Sequence, residues 1–166
     1  MRIEWIEKYM TEAERQITEN QVDEGLALLK GLLYDEPGYG SLHNHLGWAY
    51  MYYTAAAENA ELHFNMAIKF QPDYAPPYLH LAALYARMER YNDVISVAAK
   101  GLTVKGANRM ALLEQMARAH ELKRDYAEAI KTYREALAST AGIDGKAMTE
   151  GIKRCRRKRL ALMFTF

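Results

Sequence analysis

The sequence predicts an all-α protein, a solenoid of about four antiparallel helix pairs followed by a C-terminal capping helix. Two observations support this prediction. Residues of similar size return every 34 or 35 positions along the 166-residue chain, for example at Ala13, Gly47, Ala82 and Ala117, and such a period is typical of helical repeats. Within each repeat, apolar residues recur at steps of three and four, which is the spacing along one face of a helix.

The pattern divides the chain into two parts. Four repeats occupy residues 1–142, and a different pattern occupies residues 143–166. The repeats lie at about 3–37, 40–72, 75–106 and 109–141. Pro37, Pro72 and Gly106 mark the breaks between them, because proline and glycine do not continue a helix cheaply.

Each repeat predicts two helices with a short polar break between them. The apolar stripes of these eight helices span residues 3–17, 26–33, 42–53, 60–70, 78–88, 94–104, 112–122 and 126–137. The fifth helix begins with Pro76 and Pro77, at positions where a missing backbone N–H costs little. Small residues such as Gly47 and Ala67 are expected where helices cross, beside large side chains such as Phe64.

Composition and charge agree with one core-forming unit, because 50% of the residues are hydrophobic and 26% are charged. The formal net charge is only +1, but it is unevenly distributed. Residues 144–166 hold seven of the 22 basic residues and two of the 21 acidic ones, so this segment carries +5 and the remainder −4. The chain as a whole is therefore not basic, although its C-terminal segment is.

Several features predict a cytoplasmic protein. Glu4 and Glu7 interrupt the segment in which a signal peptide would have its apolar core. The apolar runs are much shorter than the roughly 20 residues of a membrane-spanning helix. The single cysteine, Cys155, has no partner for an intrachain disulfide.

One set of residues in the second repeat resembles a tetratricopeptide repeat (TPR). It consists of Leu46, Gly47, Tyr50, Ala60, Phe64, Ala67 and Pro72. Further copies contain Leu81, Ala82, Tyr85, Tyr91, Val94 and Gly101, and then Tyr126, Ala129, Ile130, Tyr133, Ala136 and Leu137. The resemblance covers roughly residues 6–142, and it implies a right-handed superhelix whose first helices line a concave groove for a peptide or helix of a partner. Residues 54–58 contain one residue more than the family's turn, which predicts an irregular turn there.

The resemblance also indicates which side chains face the groove. The expected partner-binding residues are Asn44, His45, Trp48, Tyr52, Leu79, His80, Arg87, Gln115 and Arg118. Trp48 has two interpretations. It is either an aromatic anchor that contributes about 2 kcal/mol or more to partner binding, or a side chain that its neighbours Tyr52 and His80 cover.

The resemblance argues against one function known in the family. TPR domains that bind the acidic C-termini of heat-shock chaperones hold the terminal carboxylate with lysine, arginine and asparagine side chains. The matching positions here are Met10, Glu14, His45, Pro76 and His80. This set does not supply the charge-assisted hydrogen bonds that a terminal carboxylate needs.

His45 and His80 have two interpretations. They either favour an acidic or pH-sensitive ligand or are structural. No metal site is expected, because no third ligand has suitable spacing.

Residues 143–166 predict an amphipathic helix that ends in an apolar tail. The apolar side of the helix holds Met148, Ile152, Cys155, Leu162 and Met163. The helix is either a cap that seals the last repeat or a basic surface formed by Lys153, Arg154, Arg156, Arg157, Lys158 and Arg159. The tail residues Leu160, Met163, Phe164 and Phe166 fold back, pack against a partner or pair with a second copy. Self-association is our hypothesis.

No recognisable catalytic motif is present in the sequence. The acidic residues Glu58, Glu61, Glu114, Glu121 and Glu128 are interpreted as surface charges on solvated helix faces. We therefore expect a non-enzymatic adaptor or chaperone-like scaffold that binds another protein or peptide and needs no cofactor. The alternative is a scaffold that associates with an anionic membrane surface or nucleic acid through the basic helix. That alternative is disfavoured by the near-neutral chain.

Overall fold

The computed structural model describes residues 2–139 and 145–163. Within these ranges the chain forms nine α-helices and one π-helix and no strand, which confirms the all-α prediction. The α-helices are α1 (Arg2–Thr18), α2 (Val22–Asp35), α3 (Gly40–Ala49), α4 (Ala57–Phe70), α5 (Pro76–Arg87), α6 (Tyr91–Gly101), α7 (Arg109–Leu122), α8 (Tyr126–Ala138) and α9 (Lys146–Met163). The predicted end of the repeats at Gly142 lies outside the described residues.

The chain divides into two compact units. The N-terminal unit is Met1–His80 and the C-terminal unit is Leu81–Phe166, so the boundary falls within α5. In the N-terminal unit, α1 packs against α2, α2 against α3, and α3 against α4. In the C-terminal unit, α6 packs against α7, α7 against α8, and α8 against α9.

The N-terminal unit depends on a close approach between α3 and α4. Gly47 lies against the ring of Phe64, and a Cβ atom at Gly47 would stand only 2.6 Å from the Cδ1 atom of that ring. Phe64, Ala60 and Ala67 are fully buried. A glycine is therefore required at this crossing because the ring occupies the volume that a side chain would fill.

A π-helix at Tyr50–Thr54 follows α3. Gly47 and Ala60 are 13 residues apart, whereas the equivalent residues of the next repeat, Ala82 and Val94, are 12 apart, and the wider π turn takes up the additional residue. The turn ends at Ala55, whose φ of 54° is left-handed, and the Thr54 hydroxyl donates to the Tyr50 carbonyl at 3.1 Å. The irregular turn expected at 54–58 is thus present, and it begins slightly earlier.

The C-terminal unit has an equivalent close approach between α8 and α9. Gly151 lies against Tyr133, and a Cβ atom at Gly151 would be 2.6 Å from the Cζ atom of that ring. Gly151 follows Ala117 by 34 residues, so the small-residue series continues into α9. Buried residues around this contact include Ala117, Ala129, Ala136, Met148, Ile152 and Cys155.

Several residues of the predicted apolar stripes lie outside the core, among them Ile3, Tyr53, Phe70, Leu122, Leu162 and Met163. Ile3 is 62% exposed, and the buried stripe of α1 begins only at Ile6. Leu162 and Met163 are 44% and 70% exposed, so their predicted place on the buried side of α9 is wrong. Both follow the part of α9 that packs on α8, whose last buried residue is Cys155. The tail residues Phe164 and Phe166 lie outside the described residues. None of the described helices is long and apolar enough to cross a membrane.

Candidate functional site

Six of the expected groove residues belong to the N-terminal unit. Asn44, His45 and Trp48 lie on α3, Tyr52 lies on the π-helix, and Leu79 and His80 lie on α5. The structure brings Asn44 and His80 together, with 3.0 Å between the Asn44 Oδ1 and His80 Nδ1 atoms. Because an amide oxygen only accepts, the His80 ring donates this hydrogen bond.

The two histidines of this face are held by neighbouring groups. The His80 ring packs 5.4 Å from the Phe64 ring, and burial followed by the charge of His45 lowers the pKa of His80. His45 donates from Nδ1 to the Ser41 carbonyl at 2.8 Å. The Nε2 atom of His45 lies 3.9 Å from a Glu14 carboxylate oxygen. Both rings therefore have hydrogen-bonding roles within the fold.

Trp48 is half-buried, and its ring centroid lies 5.0 Å from that of Tyr53 in a tilted arrangement. Tyr53 was not among the expected neighbours Tyr52 and His80. Tyr52 is 53% exposed and Tyr53 is 40% exposed. Trp48 and Tyr53 form a ring pair, and Tyr52, the residue before Tyr53, is a further aromatic side chain in contact with solvent. We call these three side chains the aromatic cluster.

The other expected groove residues belong to the C-terminal unit. Arg87 ends α5 and is exposed, Gln115 is half-buried on α7, and Arg118 is exposed on the same helix. Arg118 lines an open depression of about 440 Å³, whose wall on α9 includes Glu150, Arg154 and Lys158. A groove that joins these residues to the aromatic cluster stays a prediction.

The most highly organised polar cluster of the C-terminal unit surrounds Glu121 on α7. Its carboxylate accepts hydrogen bonds from Arg154 Nε and Nη2, both at 2.7 Å, and from Lys158 Nζ at 2.8 Å. The Tyr133 hydroxyl donates to the same carboxylate at 3.2 Å. The Glu121 side chain is only 5% exposed, whereas Arg154 and Lys158 keep 42% and 45% of theirs in solvent. The interpretation of Glu121 as a surface charge is therefore wrong.

The ionisation of this cluster follows from its contacts. Burial by itself would raise the pKa of Glu121, but the hydrogen bonds from Arg154 and Lys158 outweigh it and hold the pKa at about 2. Burial and the Glu121 charge raise the pKa of Tyr133, and the same two causes raise the pKa of Cys155 to about 11. The cluster consequently keeps one negative charge and two positive charges at neutral pH.

The predicted basic patch is distributed over different sides of α9. Arg154 and Lys158 point toward Glu121, as described above. Arg156 and Arg159 line a cleft between α8 and α9. Lys153 is exposed and pairs with Glu150 at 3.1 Å, and Arg157 is exposed. The spacings of three and four residues within each pair explain why its members share a side.

The sequence matches no protein-family model, and no curated protein is significantly similar to it. Solved structures nevertheless resemble the chain over most of its length. The structure of Pseudomonas aeruginosa pilF has a TM-score of 0.82 at 12% identity, covering 98% of this chain and 72% of that one. MamA has a TM-score of 0.72 at 14% identity, covering 95% and 94% of the two chains.

A third similar structure is the TPR2B domain of yeast Sti1 in a complex with pHsp70. Its TM-score is 0.61 at 21% identity, and the match covers 74% of this chain and 97% of that domain. The chain therefore has a TPR-like helical-repeat fold. With identities this low, the likeness concerns the helical-repeat fold and not the ligand.

Two polar pairs of this chain are not expected from the sequence. One is the contact of Glu121 with α9, and the other joins His43 and His63, whose Nδ1 atoms lie 2.9 Å apart. A signal for the first exists: Glu121 follows the buried Ala117 by four residues and therefore shares its side of α7. We find no equivalent signal for the histidine pair, because its geometry depends on how α3 and α4 cross.

Proposed function

We propose that this TPR-like protein is a non-enzymatic protein–protein interaction scaffold, an adaptor or chaperone-like module. It binds a peptide or helix of another protein at the face of the N-terminal unit that carries Asn44, His45, Trp48, Tyr52, Leu79 and His80. Arg87, Gln115 and Arg118 of the C-terminal unit stay predicted contact residues. The similarity to TPR domains supports a scaffold, including one domain solved with pHsp70. The proposal assigns no reaction and no cofactor to the chain.

The observation that carries this proposal is the aromatic cluster. Trp48 is half-buried against Tyr53, so its indole is held in place while part of it remains in contact with solvent. Tryptophan and tyrosine dominate the binding energy of many interfaces because they remove large areas from water at a small cost in side-chain entropy. The polar neighbours Asn44 and His80 bond to each other, which favours apolar recognition at this face.

A selection of peptides from a random library tests the proposal. Peptides selected on the wild-type protein are measured by fluorescence polarisation against Trp48→Ala. Trp5→Ala is a matched control, because Trp5 is also partly exposed and lies 4.8 Å from a tyrosine ring, that of Tyr9. We expect Trp48→Ala to weaken binding about thirtyfold, which corresponds to about 2 kcal/mol, and Trp5→Ala to change it less than about twofold. Equal binding to both variants would contradict the proposal.

The alternative, association with an anionic membrane surface or nucleic acid through α9, is less well supported. Of its six cations, Arg154 and Lys158 are engaged by Glu121, and Lys153 pairs with Glu150. Binding to phosphates weakens steeply as salt is added. An apolar contact at the aromatic cluster changes little with salt, so a salt titration distinguishes the two functions.

Self-association through the apolar end of α9 is a second part of the proposal. Leu160 and Met163 are 56% and 70% exposed, and exposed apolar side chains favour association. Removing residues 160–166 is expected to lower the mass measured by light scattering. A wild-type protein that is monomeric at all concentrations would contradict this part. The cytoplasmic location also stays a prediction.

A further inference from the structure

A cleft of about 350 Å³ lies between α8 and α9 in the C-terminal unit, on a different side of α9 from Glu121. Its apolar surface comes from Ile130 on α8 and from Leu160 and Met163 on α9. Ile130 is almost fully buried, whereas Leu160 and Met163 are more than half exposed. The cleft therefore has a fixed apolar floor and a second apolar wall that contacts solvent.

Four cationic side chains surround this apolar surface, two from each helix. They are Lys131 and Arg134 on α8, and Arg156 and Arg159 on α9. Lys131 lies 3.6 Å from the exposed carboxylate of Glu128. Within residues 2–139 and 145–163, the three arginines have no carboxylate within ion-pair distance, and no acidic side chain lines the cleft. This arrangement differs from the Glu121 cluster, where an acid of the same chain neutralises the cations.

The charge of the whole unit reinforces the local arrangement. The C-terminal unit contains 17 basic and 9 acidic residues, a balance of +8, whereas the N-terminal unit contains 5 basic and 12 acidic residues, a balance of −7. Acidic partners are consequently attracted to the C-terminal unit over distances comparable to the Debye length, about 8–10 Å at physiological salt.

We propose that the cleft between α8 and α9 binds an acidic, amphipathic helical segment of a partner protein. Apolar side chains of the segment pack against Ile130, Leu160 and Met163, so the bound segment and the proposed self-association exclude each other at Leu160 and Met163. Carboxylates on its flanks accept hydrogen bonds from Arg134, Arg156 and Arg159, since the guanidinium group matches a carboxylate with two parallel N–H donors. A helix that lays its apolar face into a hydrophobic groove is a frequent mode of peptide recognition.

The placement of the cations favours a protein segment over a membrane or a nucleic acid. A flat membrane surface contacts one convex side of a helix, whereas these cations line two walls of a concave cleft. The outward side of α9 offers Lys153 and Arg157, and Lys153 is paired with Glu150. Nucleic-acid binding commonly uses aromatic side chains to stack on bases, and among the residues that the structure describes no aromatic side chain lines the cleft.

The test uses the full-length protein and a fluorescein-labelled helical peptide of about 15 residues, roughly four turns. The peptide has leucines along one face and glutamates on both flanks of that face. Its binding is measured by fluorescence anisotropy to wild type, to Arg134→Glu/Arg159→Glu and to the matched control Lys153→Glu/Arg157→Glu, which changes the net charge equally. We expect the first variant to bind at least about tenfold more weakly and the control to stay within about twofold of wild type.

Additional variants keep the result interpretable. Arg134→Gln/Arg159→Gln removes the charges without adding new ones, and circular dichroism with thermal unfolding establishes that each variant folds. A peptide of the same composition with scrambled leucines is expected to bind more weakly, and Trp48→Ala is expected to bind like wild type, because this cleft is distinct from the aromatic cluster.

Three results would overturn the proposal. The first is an equal loss of binding in both charge-reversal variants, which indicates attraction by net charge alone. The second is equal binding of the scrambled peptide. The third is no peptide binding together with binding to phosphatidylserine vesicles or to an RNA oligonucleotide, which assigns the cations to a lipid or nucleic-acid surface.

Discussion

The two units use the same packing contact and bury different polar groups beside it. In the N-terminal unit Gly47 lies against Phe64, and in the C-terminal unit Gly151 lies against Tyr133. In both contacts a Cβ atom added to the glycine would stand 2.6 Å from an atom of the ring. Next to the first contact lie two hydrogen-bonded imidazole rings, those of the buried His43 and the half-buried His63. Next to the second contact lies the ion-pair cluster of Glu121 with Arg154 and Lys158. The repeat pattern thus specifies the shape of the contact, while its polar surroundings differ from one helix pair to another.

The histidine pair accommodates only one proton between its two Nδ1 atoms, which lie 2.9 Å apart. His43 donates from Nε2 to the Pro37 carbonyl at 2.9 Å, so in its neutral form the Nδ1 atom accepts from His63. Burial, followed by the charges of His43 and Lys30, lowers the pKa of His63 to about 4. The His43 ring stacks 5.4 Å from Phe70, and the His63 ring stacks 5.6 Å from Tyr50. A second proton on this pair would place two N–H groups face to face.

The largest expected effect tests whether the two glycine contacts are equivalent. Gly47→Ala and Gly151→Ala are each expected to lower the free energy of unfolding by about 3 kcal/mol, because an aromatic ring in a packed core has little room to move away. Urea-induced unfolding measures both variants. A large loss of stability in one variant and none in the other would show that one ring can shift, and that the two contacts are not equivalent.

The second prediction concerns the charged cluster of the C-terminal unit. Glu121→Gln is expected to lower the free energy of unfolding by about 2 kcal/mol, less than for a fully buried ion pair, because Arg154 and Lys158 are half-exposed and regain water. The control Glu128→Gln changes an exposed acid on α8 and is expected to stay within about 0.5 kcal/mol of wild type. Equal effects of the two variants would contradict the assigned role of Glu121.

The third prediction distinguishes the two units by the pH range in which each of them loses stability. The neutral His63 is favoured in the folded chain, so its stabilisation is complete above pH 6.5 and is lost as the pH falls from 6.5 to about 4. The ionised Glu121 is favoured in the folded chain, so its stabilisation is complete above pH 4.5 and is lost as the pH falls from 4.5 to about 2.

Thermal unfolding measured between pH 7 and pH 5 therefore reports mainly on the histidine pair. We expect wild type to lose about 1 kcal/mol over this interval and His63→Gln to lose clearly less. His80 changes in the same direction, so the variant is not expected to be completely insensitive to pH. A variant with the full wild-type slope would assign the pH dependence to other groups.

The smallest expected effect is an increase in the free energy of unfolding. Gly31 lies on the exposed side of α2, and a Cβ atom there would meet no other atom within 4 Å. Gly31→Ala is therefore expected to raise the free energy of unfolding by about 0.5–1 kcal/mol, since alanine loses less backbone entropy in a helix. A loss of stability would mean that small residues are needed on α2 for a reason other than packing.

The period of 34 or 35 residues was sufficient to predict most of the fold. It located the helix pairs, the proline-containing breaks and the irregular turn beyond α3, because each of these is determined by residues close together in the chain. It did not predict the π-helix itself. Whether an extra residue is taken up by a loop or by a wider helical turn depends on the packing of Tyr50 and Met51, which are both buried.

The candidate sites were less predictable than the fold. The sequence predicts Trp48 and Tyr52 as contact residues, but the contact of Trp48 with Tyr53 is evident only in the structure. The sequence predicts one basic patch from six cations of α9, because a run of basic residues does not reveal which neighbours each side chain contacts. Their distribution over three sides depends on Glu121, more than 30 residues earlier, and on the position of α8.

By itself, the sequence determined that this protein is a stack of helices and where glycine must replace a larger residue, because helix periodicity and chain breaks are local properties. The tertiary structure alone decided which polar groups are buried and how each is satisfied. Glu121 shares one side of α7 with the buried Ala117, but neither its partners on α9 nor the contact of His63 with His43 has a local signal. The pKa of each group is shifted by groups on other helices. Electrostatic environments depend on distances through space, and those distances exist only once the helices have packed.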